Sequence, residues 1–382
     1  MDYELSDEHK MIAETVRDFA EREIKPLAKD LDEKGEFSPD LTKKMGDLGL
    51  FGMCLPEKYG GQGMDTLSYI IAVEEIARID GSQAATLAAQ NSLGIGPIFY
   101  YGTEEQKLKY LPRLCTGDAL WGFGLTEPNA GSDSRGTKTT ALRQGDSWIL
   151  NGSKIFITNS ASDISIGSTV QVVSGDKEGK KEFTCILVEK GTPGFKQVAM
   201  HGKMMWRASD TGELYFDDCR VPTENLLGKL GEGSHIMLKT LDNGRLSIAA
   251  MGLGNAQGSF EMAMNYAHER KQFGKPIVKF QAIAFKLSDM ALKIELARNL
   301  LYKACWLKDN NKPFEKEAAM SKLYCSEIAG EVTDEAVQIH GGYGLMKDYD
   351  IERFYRDQRI LQIGEGTSEI QRIVISRYIG CK

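Results

Sequence analysis

Apolar residues recur at helical spacing over the first third of the chain. A first helix is predicted around Ile12, and Ser6 can cap its amino end ahead of two acidic residues. Residues 66–79 predict a second, buried helix, and a capping signal at Thr103 begins another. These patterns predict a region of helices and loops up to about residue 118.

The pattern changes after Gly117 to short apolar runs separated by Gly, Asn, Asp and Pro. Such runs over residues 119–225 predict several short strands, arranged as a small antiparallel barrel or sandwich. Asn151-Gly152 has the composition of a two-residue hairpin turn. Residues 174–182 are polar and contain glycine, which predicts an exposed loop.

Helical spacing returns from about residue 230. One long helix is predicted from apolar residues at alternating steps of four and three, a pattern typical of a helix in a bundle. That stripe comprises Ile283, Leu287, Met290, Ile294, Ala297, Leu301 and Ala304. Two more helices are predicted from Glu315 to about His340 and from about Thr367 to Ile379. The order of helices, strands and helices predicts three domains, over residues 1–118, 119–228 and 229–382.

The composition is that of a globular protein, with 42% hydrophobic and 26% charged residues. The net charge of −7 opposes broad binding to a nucleic-acid backbone. None of the seven cysteines forms a CxxC pair, so we expect reduced thiols and no metal site. The acidic amino-terminal segment lacks the apolar core of a signal peptide, and no apolar stretch is long enough for a membrane span. These features favour the cytoplasm, or an organelle matrix if a transit peptide was removed.

Four segments contain residues that could take part in chemistry, namely 125–133, 156–159, 270–276 and 363–372. Each also has an ordinary structural interpretation as a turn, a strand end or a helix end. No GxGxxG opens a βαβ unit, and neither GxxxxGK[ST] nor GxSxG occurs. A nicotinamide-binding Rossmann site is therefore not supported.

Glu365 is the most informative of these residues, because glycines flank it on both sides and allow the backbone to approach a ligand closely. Thr367 or Ser368 can cap the following helix, whose free N–H groups and dipole favour an anion such as phosphate. The segment could thus place a carboxylate base beside a phosphate-binding helix end. Taken alone, the simpler interpretation of a helix cap beside a solvated glutamate is favoured.

Together and in this order, the four segments resemble the acyl-CoA dehydrogenase family, and most closely its short- and medium-chain members. Further matching segments are Pro56–Gly61, Lys203-Met204 with Arg207–Ser209, Leu214–Asp218 with Val221-Pro222, and Tyr266–Arg270. The resemblance implies a helical amino-terminal domain, a middle antiparallel β-barrel and a carboxy-terminal four-helix bundle. It also implies bound FAD, a homotetramer built as a dimer of dimers, and electron-transfer flavoprotein as the electron acceptor.

The resemblance implies roles for individual residues as well. Glu365 matches the catalytic base. The residues that match cofactor contacts are Thr126, Phe156, Thr158, Arg270, Gln272, Phe273, Gln281, Gln338, Gly341, Gly342, Thr367 and Glu369. Among them, the contacts to the FAD of a partner subunit match Arg270, Gln272, Phe273, Gln338, Gly341 and Gly342. The residues that match acyl-CoA contacts are Ser132, Asp242, Arg245 and Gly366.

The implied reaction removes the α-proton of an acyl-CoA thioester, transfers the β-hydrogen as hydride to flavin N5 and yields trans-2-enoyl-CoA. One alternative is an enoyl-CoA or acryloyl-CoA reductase that uses the same site in reverse, because the flavin potential and the partner decide the direction. Another is a protein of the same fold that binds nucleic acid or acts as a scaffold, which the negative net charge disfavours.

Three positions depart from patterns within the family. Some relatives have their base just before the position of Arg245, where this chain has Gly244, so Glu365 is the base that the resemblance supports. Relatives that act on glutaryl-CoA have an arginine where this chain has Ala84, which argues against a dicarboxylic substrate. Many short- and medium-chain members have tyrosine where this chain has Gly364. Loss of that ring should widen the pocket, and it leaves chain length and branching open.

Overall fold

The computed structural model describes residues 4–381. Its first part consists of helices α1 Asp7–Phe19, α2 Lys25–Lys34, α3 Pro39–Asp47, α4 Thr66–Ala77, α5 Gly81–Ala89, α6 Gly96–Tyr101 and α7 Glu104–Leu114. The two predicted caps are confirmed, since the Ser6 hydroxyl accepts from the His9 N–H and Thr103 forms a reciprocal capping box with Gln106. Each cap satisfies backbone N–H groups that a first helical turn leaves free, which explains where α1 and α7 begin.

The middle of the chain forms one mixed sheet. Its strands are β1 Leu120–Gly124, β2 Thr140–Gln144, β3 Ser147–Thr158, β4 Ser165–Lys177, β5 Lys180–Glu189, β6 Phe195–Ala199, β7 Thr211–Pro222 and β8 Leu226–Leu227. They are ordered β6-β7-β3-β2-β4-β5-β8, and β1 pairs with β4 in parallel. The β-rich middle region agrees with the prediction. A closed antiparallel barrel is not confirmed, because within residues 4–381 no pairing joins β6 to β8.

Two local predictions in the sheet are wrong. Asn151-Gly152 lies inside β3 at an irregularity in the pairing with β7, where the Asn151 side chain exchanges hydrogen bonds with Asp218 at 3.0 and 2.9 Å. That pairing satisfies the asparagine within the strand, and the hairpin turn lies between β2 and β3 instead. Residues 174–182 are mostly paired strand rather than loop, because β4 and β5 extend to a short turn at Glu178.

The remainder forms helices α8 Gly233–Glu269, α9 Gln281–Asp309, α10 Glu315–His340, α11 Ile351–Asp357 and α12 Ser368–Tyr378, with the short strands β9 Lys271–Gln272 and β10 Lys275–Pro276. Helix α10 packs against α8, α9 and α12, in line with the predicted bundle. The predicted stripe on α9 faces the core, with Leu287, Met290, Ile294, Ala297, Leu301 and Ala304 buried. In the described part of the chain, every helix is too short or too polar to cross a membrane.

The amino- and carboxy-terminal helices share one hydrophobic core. Every residue of α4 from Ser68 to Ala77 is buried, because α4 lies against α1, α5, α8 and α9. A partly buried ion pair joins two of these helices, with Arg298 Nη2 of α9 2.8 Å from Glu74 Oε1 of α4. The domain limits at residues 118/119 and 228/229 remain predictions.

Candidate active site

The loop between α11 and α12 holds Glu365 in an unusual backbone conformation. Glu365 has a φ of +51° and Gly366 a φ of +92°, so two consecutive residues lie in the left-handed region. Such a conformation costs a non-glycine residue about 1–3 kcal/mol and persists only where its surroundings hold it. Two buried side chains hold it here, since Lys322 Nζ and Gln371 Nε2 donate to the Gly366 carbonyl oxygen at 2.7 and 2.9 Å.

The Glu365 carboxylate has the properties of a base poised near neutral pH. Its Oε2 is buried and has no hydrogen-bond partner among residues 4–381, although the residue as a whole is only partly buried. Burial raises the pKa of Glu365 to about 7, against the opposing charges of Lys322 and Arg245. A carboxylate with such a pKa accepts a proton more readily than an exposed one does.

A glycine on α8 makes room for this carboxylate. A Cβ atom at Gly244 would lie 2.0 Å from Glu365 Oε2, so any side chain there would displace the oxygen. Some relatives have their base at the position of Gly244. In this chain the missing side chain leaves the space that the Glu365 carboxylate occupies. The next neighbour of that position is the Leu93 side chain, at 3.5 Å.

Two of the predicted acyl-CoA residues lie together on α8 beside Glu365. Arg245 Nη1 donates to Asp242 Oδ1 at 2.5 Å, and both side chains are largely buried. Arg245 Nε is buried without a partner in the described residues, which leaves a donor for a ligand. Ser132 lies in the exposed loop between β1 and β2, so the structure does not place it with this group by any contact.

The residues predicted to contact the flavin ring, Thr126, Phe156 and Thr158, lie on β3 and on the loop beside it. The Ile155 N–H donates to the Thr126 carbonyl at 3.0 Å and fixes the loop against the strand. Phe156 has a φ of +61° and is 64% exposed. An aromatic side chain held in this way offers a flat apolar surface that fits a planar ring.

A buried ion pair anchors the same loop. Lys154 Nζ lies 2.8 Å from Glu127 Oε1 and donates to the Leu125 carbonyl at 3.1 Å. Burial lowers the pKa of Lys154 to about 8, with Glu127 acting in the opposite direction. The Glu127 carboxylate also accepts from two backbone N–H groups. Lys154 therefore holds the chain on both sides of Thr126.

A separate open cleft of about 530 Å³ brings four other predicted cofactor residues together, namely Arg270, Gln272, Gly341 and Gly342. Tyr266 and Tyr343 form part of its walls. A Cβ at either glycine would have no neighbour within 4 Å, so the backbone there is open to a ligand. A cation, exposed backbone and aromatic walls fit a large anionic cofactor.

The other predicted cofactor residues do not line this cleft. Phe273 is 93% exposed and has a φ of +50°. Three more are exposed on helices α9, α10 and α12, namely Gln281, Gln338 and Glu369. Thr367 caps α12 by accepting from the Ile370 N–H at 3.3 Å, which confirms the predicted helix start. The cofactor contacts of all these residues remain predictions.

A second, smaller cavity of about 50 Å³ lies among α4, α6 and α8. Tyr69, Phe99 and Leu246 contribute to its lining. The Tyr69 hydroxyl donates to the Ala88 carbonyl at 3.1 Å, so this wall is fixed by the protein itself.

Sequence analysis missed Lys322, Lys154 and Gln371, which hold the loops of the site. A signal for Lys322 was present, because it lies three and four residues from Ala319 and Ala318 on the buried face of α10. A lysine on an apolar face is a candidate for a role inside the protein. Among residues 4–381, no cluster of three His, Cys, Asp or Glu side chains is arranged to hold a metal ion.

Family models match most of the chain. They are described as the acyl-CoA dehydrogenase N-terminal domain over residues 6–118, the middle domain over 122–219 and the C-terminal domain over 231–380. The chain is 50% identical to Bacillus subtilis YngJ over 99% of its own length and 100% of the relative. It is 46% identical to the short-chain specific acyl-CoA dehydrogenase of Clostridium acetobutylicum, covering 98% and 99%. It is 45% identical to the acryloyl-CoA reductase (NADH) of Anaerotignum propionicum, covering 99% and 96%.

Solved structures agree with the sequence relatives. Butyryl-CoA dehydrogenase from Megasphaera elsdenii superposes with a TM-score of 0.96 at 44% identity, over 99% of this chain and 100% of that one. A chain from a structure described as an electron transferring flavoprotein of Acidaminococcus fermentans has a TM-score of 0.96 at 46% identity over 100% of both chains. A Mycobacterium smegmatis glutaryl-CoA dehydrogenase in complex with FADH2 gives 0.94 at 33% identity, over 99% and 96%. Three family models cover most of the chain, and Gly244 leaves space for the buried carboxylate oxygen of Glu365. This chain belongs to the acyl-CoA dehydrogenase family.

Proposed function

We propose that this protein is an FAD-dependent acyl-CoA dehydrogenase that converts a short- or medium-chain acyl-CoA thioester to the trans-2-enoyl-CoA. The proposal rests above all on Glu365, whose Oε2 is buried without a partner in the described residues and whose pKa burial raises to about 7. Relatives at 46% and 44% identity that are named short-chain acyl-CoA dehydrogenase and butyryl-CoA dehydrogenase support the substrate class.

Glu365 is assigned to remove the α-proton of the thioester. That proton is only weakly acidic, so its removal needs a base whose pKa lies near the working pH. Negative charge then develops on the thioester oxygen, and the Glu365 backbone N–H is assigned to face it. FAD, when bound, supplies the acceptor for the hydrogen that leaves the β-carbon.

Thr126, Phe156 and Thr158 are assigned to the flavin ring, and Arg270, Gln272, Gly341 and Gly342 to the anionic part of the cofactor. Since the family places the second group against the FAD of another subunit, we propose a homotetramer built as a dimer of dimers. The remaining cofactor assignments are Phe273, Gln281, Gln338, Thr367 and Glu369. We also propose the domain limits at 118/119 and 228/229 and a barrel-like middle domain.

The acyl-CoA thioester is assigned to Ser132, Asp242, Arg245 and Gly366. Arg245 supports this assignment best, because its buried Nε has no partner among the described residues. The relatives named short-chain acyl-CoA dehydrogenase and butyryl-CoA dehydrogenase favour a short acyl chain. Gly364, where a Cβ would have no neighbour closer than 3.6 Å, leaves room for a branch.

Electron-transfer flavoprotein is the proposed electron acceptor, supported by the similarity to a chain from the Acidaminococcus fermentans electron transferring flavoprotein structure. The relative named acryloyl-CoA reductase (NADH) favours a second candidate, in which the same site reduces an enoyl-CoA. Free cysteines throughout the described residues fit a reducing compartment, and we propose the cytoplasm or an organelle matrix.

The test is an anaerobic titration of the purified flavoprotein with acyl-CoA thioesters from C3 to C16, including branched and cyclic members. Bleaching of the flavin absorbance by short straight or branched thioesters is expected. No bleaching by any member would contradict the proposal. Titration of the reduced protein with enoyl-CoA measures the opposite direction, and strong preference for that reaction would favour the reductase.

A further inference from the structure

Lys322 is a buried cation that the proposed reaction does not use. It lies on α10, and its side chain is fully buried. Its Nζ donates to the Gly366 carbonyl at 2.7 Å and forms no ion pair with a carboxylate in the described part of the chain. Burying an ammonium group without a charged partner costs free energy. Lys322 is nevertheless buried in contact with Gly366, the residue that follows the proposed base, and this position calls for an explanation.

The Gly366 carbonyl is the point that fixes the loop. It accepts from Lys322 and from Gln371 Nε2, and it belongs to the second of two consecutive left-handed residues. Releasing this carbonyl would allow the loop to relax towards ordinary backbone conformations. The Glu365 carboxylate would then move away from the space beside Gly244.

Charged groups face Glu365 from several elements. Two cations act on the Glu365 carboxylate, Arg245 from α8 and Lys322 from α10. The carboxylates of Glu327 on α10 and Glu369 on α12 act in turn on Lys322. The hydroxyl of Tyr69 on α4 also interacts with Glu365. Arg245 is already paired with Asp242, whereas the described residues offer Lys322 no carboxylate partner. Burial lowers the pKa of Lys322 to about 8, with Glu365 opposing that change, so the ammonium group remains charged at pH 7.

We propose that Lys322 is a positioning residue for the base: its ammonium group fixes the Glu365–Gly366 turn through the Gly366 carbonyl, and its unpaired positive charge favours the ionised form of the Glu365 carboxylate. The inference rests on the proposed function, since it assumes that Glu365 is the base. The hydrogen bond and the charge can be tested separately, because Gln371 donates to the same carbonyl oxygen and carries no charge.

The experiment compares the pH dependence of kcat/KM in flavin-loaded protein carrying Lys322→Gln, Lys322→Met or Lys322→Arg. Glutamine can donate without charge, methionine can do neither, and arginine keeps the charge. Gln371→Leu is the matched control, because it removes a neutral donor to the same oxygen. Flavin content and thermal stability are measured for each variant.

Removing the charge raises the pKa of Glu365, so the acid limb of the profile should move up by about 1 pH unit in Lys322→Gln and Lys322→Met. It should stay in place in Lys322→Arg and in Gln371→Leu, whatever their effect on rate. An unmoved limb in both neutral, flavin-loaded variants would overturn the inference. Glu365→Gln separates the two proposals: if that variant turns over normally, the assignment of the base fails instead.

Discussion

A Cβ atom at Gly244 would lie 2.0 Å from the Oε2 of Glu365, so the two residues cannot both fill the same space. The atom that must give way is the end of a flexible side chain, whereas the α8 backbone is fixed by its packing. The glycine and the carboxylate therefore form one steric unit of the site.

Gly244→Ala should leave the protein folded but lower its turnover rate. Alanine is favoured over glycine inside a helix by up to about 1 kcal/mol, so stability should hold or rise. The displaced carboxylate should lower kcat about 10²-fold, since a shift of 1 Å in a catalytic group has that scale of effect. Steady-state kinetics and thermal unfolding measure the two quantities.

Gly254→Ala on the same helix is the matched control. Its Cβ would lie 2.3 Å from the backbone oxygen of Glu74, which cannot rotate away. That variant should lose about 1–3 kcal/mol of unfolding free energy from overpacking. If Gly244→Ala were destabilised equally while its kcat stayed normal, the steric relationship would have no role in positioning the base.

Glu365→Gln should retain its flavin and lose turnover by about 10²- to 10⁴-fold, because glutamine keeps the size of the side chain and removes the base. In the unmodified protein kcat/KM should rise with pH through about 7, where the carboxylate loses its proton. A turnover near normal in the variant, or a flat profile between pH 6 and 8, would assign proton removal to another group.

The same substitution should change how stability depends on pH. The pKa of Glu365 is about 7 in the folded protein against an ordinary value of 4.5, so protonation favours folding. This contribution is present below pH 4.5 and disappears as the pH rises through about 7. The melting temperature of Glu365→Gln relative to the unmodified protein should therefore be higher at pH 8 than at pH 5. An equal difference at both pH values would contradict the buried state of the carboxylate.

Gly364→Tyr should narrow the range of acyl groups. The nearest atoms to a Cβ at Gly364 belong to Ile360 at 3.6 and 3.7 Å, so the backbone accepts a side chain there. A ring at this position should lower kcat/KM for branched relative to straight short thioesters by about 10-fold. If the ratio of kcat/KM for branched to straight thioesters is the same in the variant and the unmodified protein, the ring points away from the acyl group.

Lys154→Met should destabilise the loop that carries Thr126. Lys154 and Glu127 are both buried, and removal of one partner leaves an uncompensated charge at a cost of about 3–5 kcal/mol. We expect a lower melting temperature and weaker flavin retention, measured by calorimetry and by absorbance after dialysis. The double variant with Glu127→Gln should recover part of the loss, and strictly additive effects would show that the pair is not coupled.

Local signals predicted much of the helical structure, because a cap such as Thr103 with Gln106 is satisfied by residues within one turn. The strand region was harder. Asn151-Gly152 has the composition of a turn, yet Asp218 on a neighbouring strand satisfies the asparagine, and no signal near residue 151 shows that partner.

The site was predictable in part. The flanking glycines made Glu365 visible in the sequence, and the structure adds the contacts that hold it. Lys322 precedes the loop by more than 40 residues, and its hydrogen bond to Gly366 depends on how α10 packs. Contacts of this kind arise from tertiary structure and leave only a weak trace, here a lysine on an apolar helix face.

The common core of α4, α8 and α9 has a consequence for synthesis on the ribosome. Helix α4 is made early and cannot complete its packing until α8 and α9 have emerged from the ribosome. The apolar surface of α4 therefore remains exposed for much of translation. Contacts this distant along the chain also slow the search for the native arrangement. A nascent chain halted before α9 should accordingly be a strong client for chaperones that bind apolar segments.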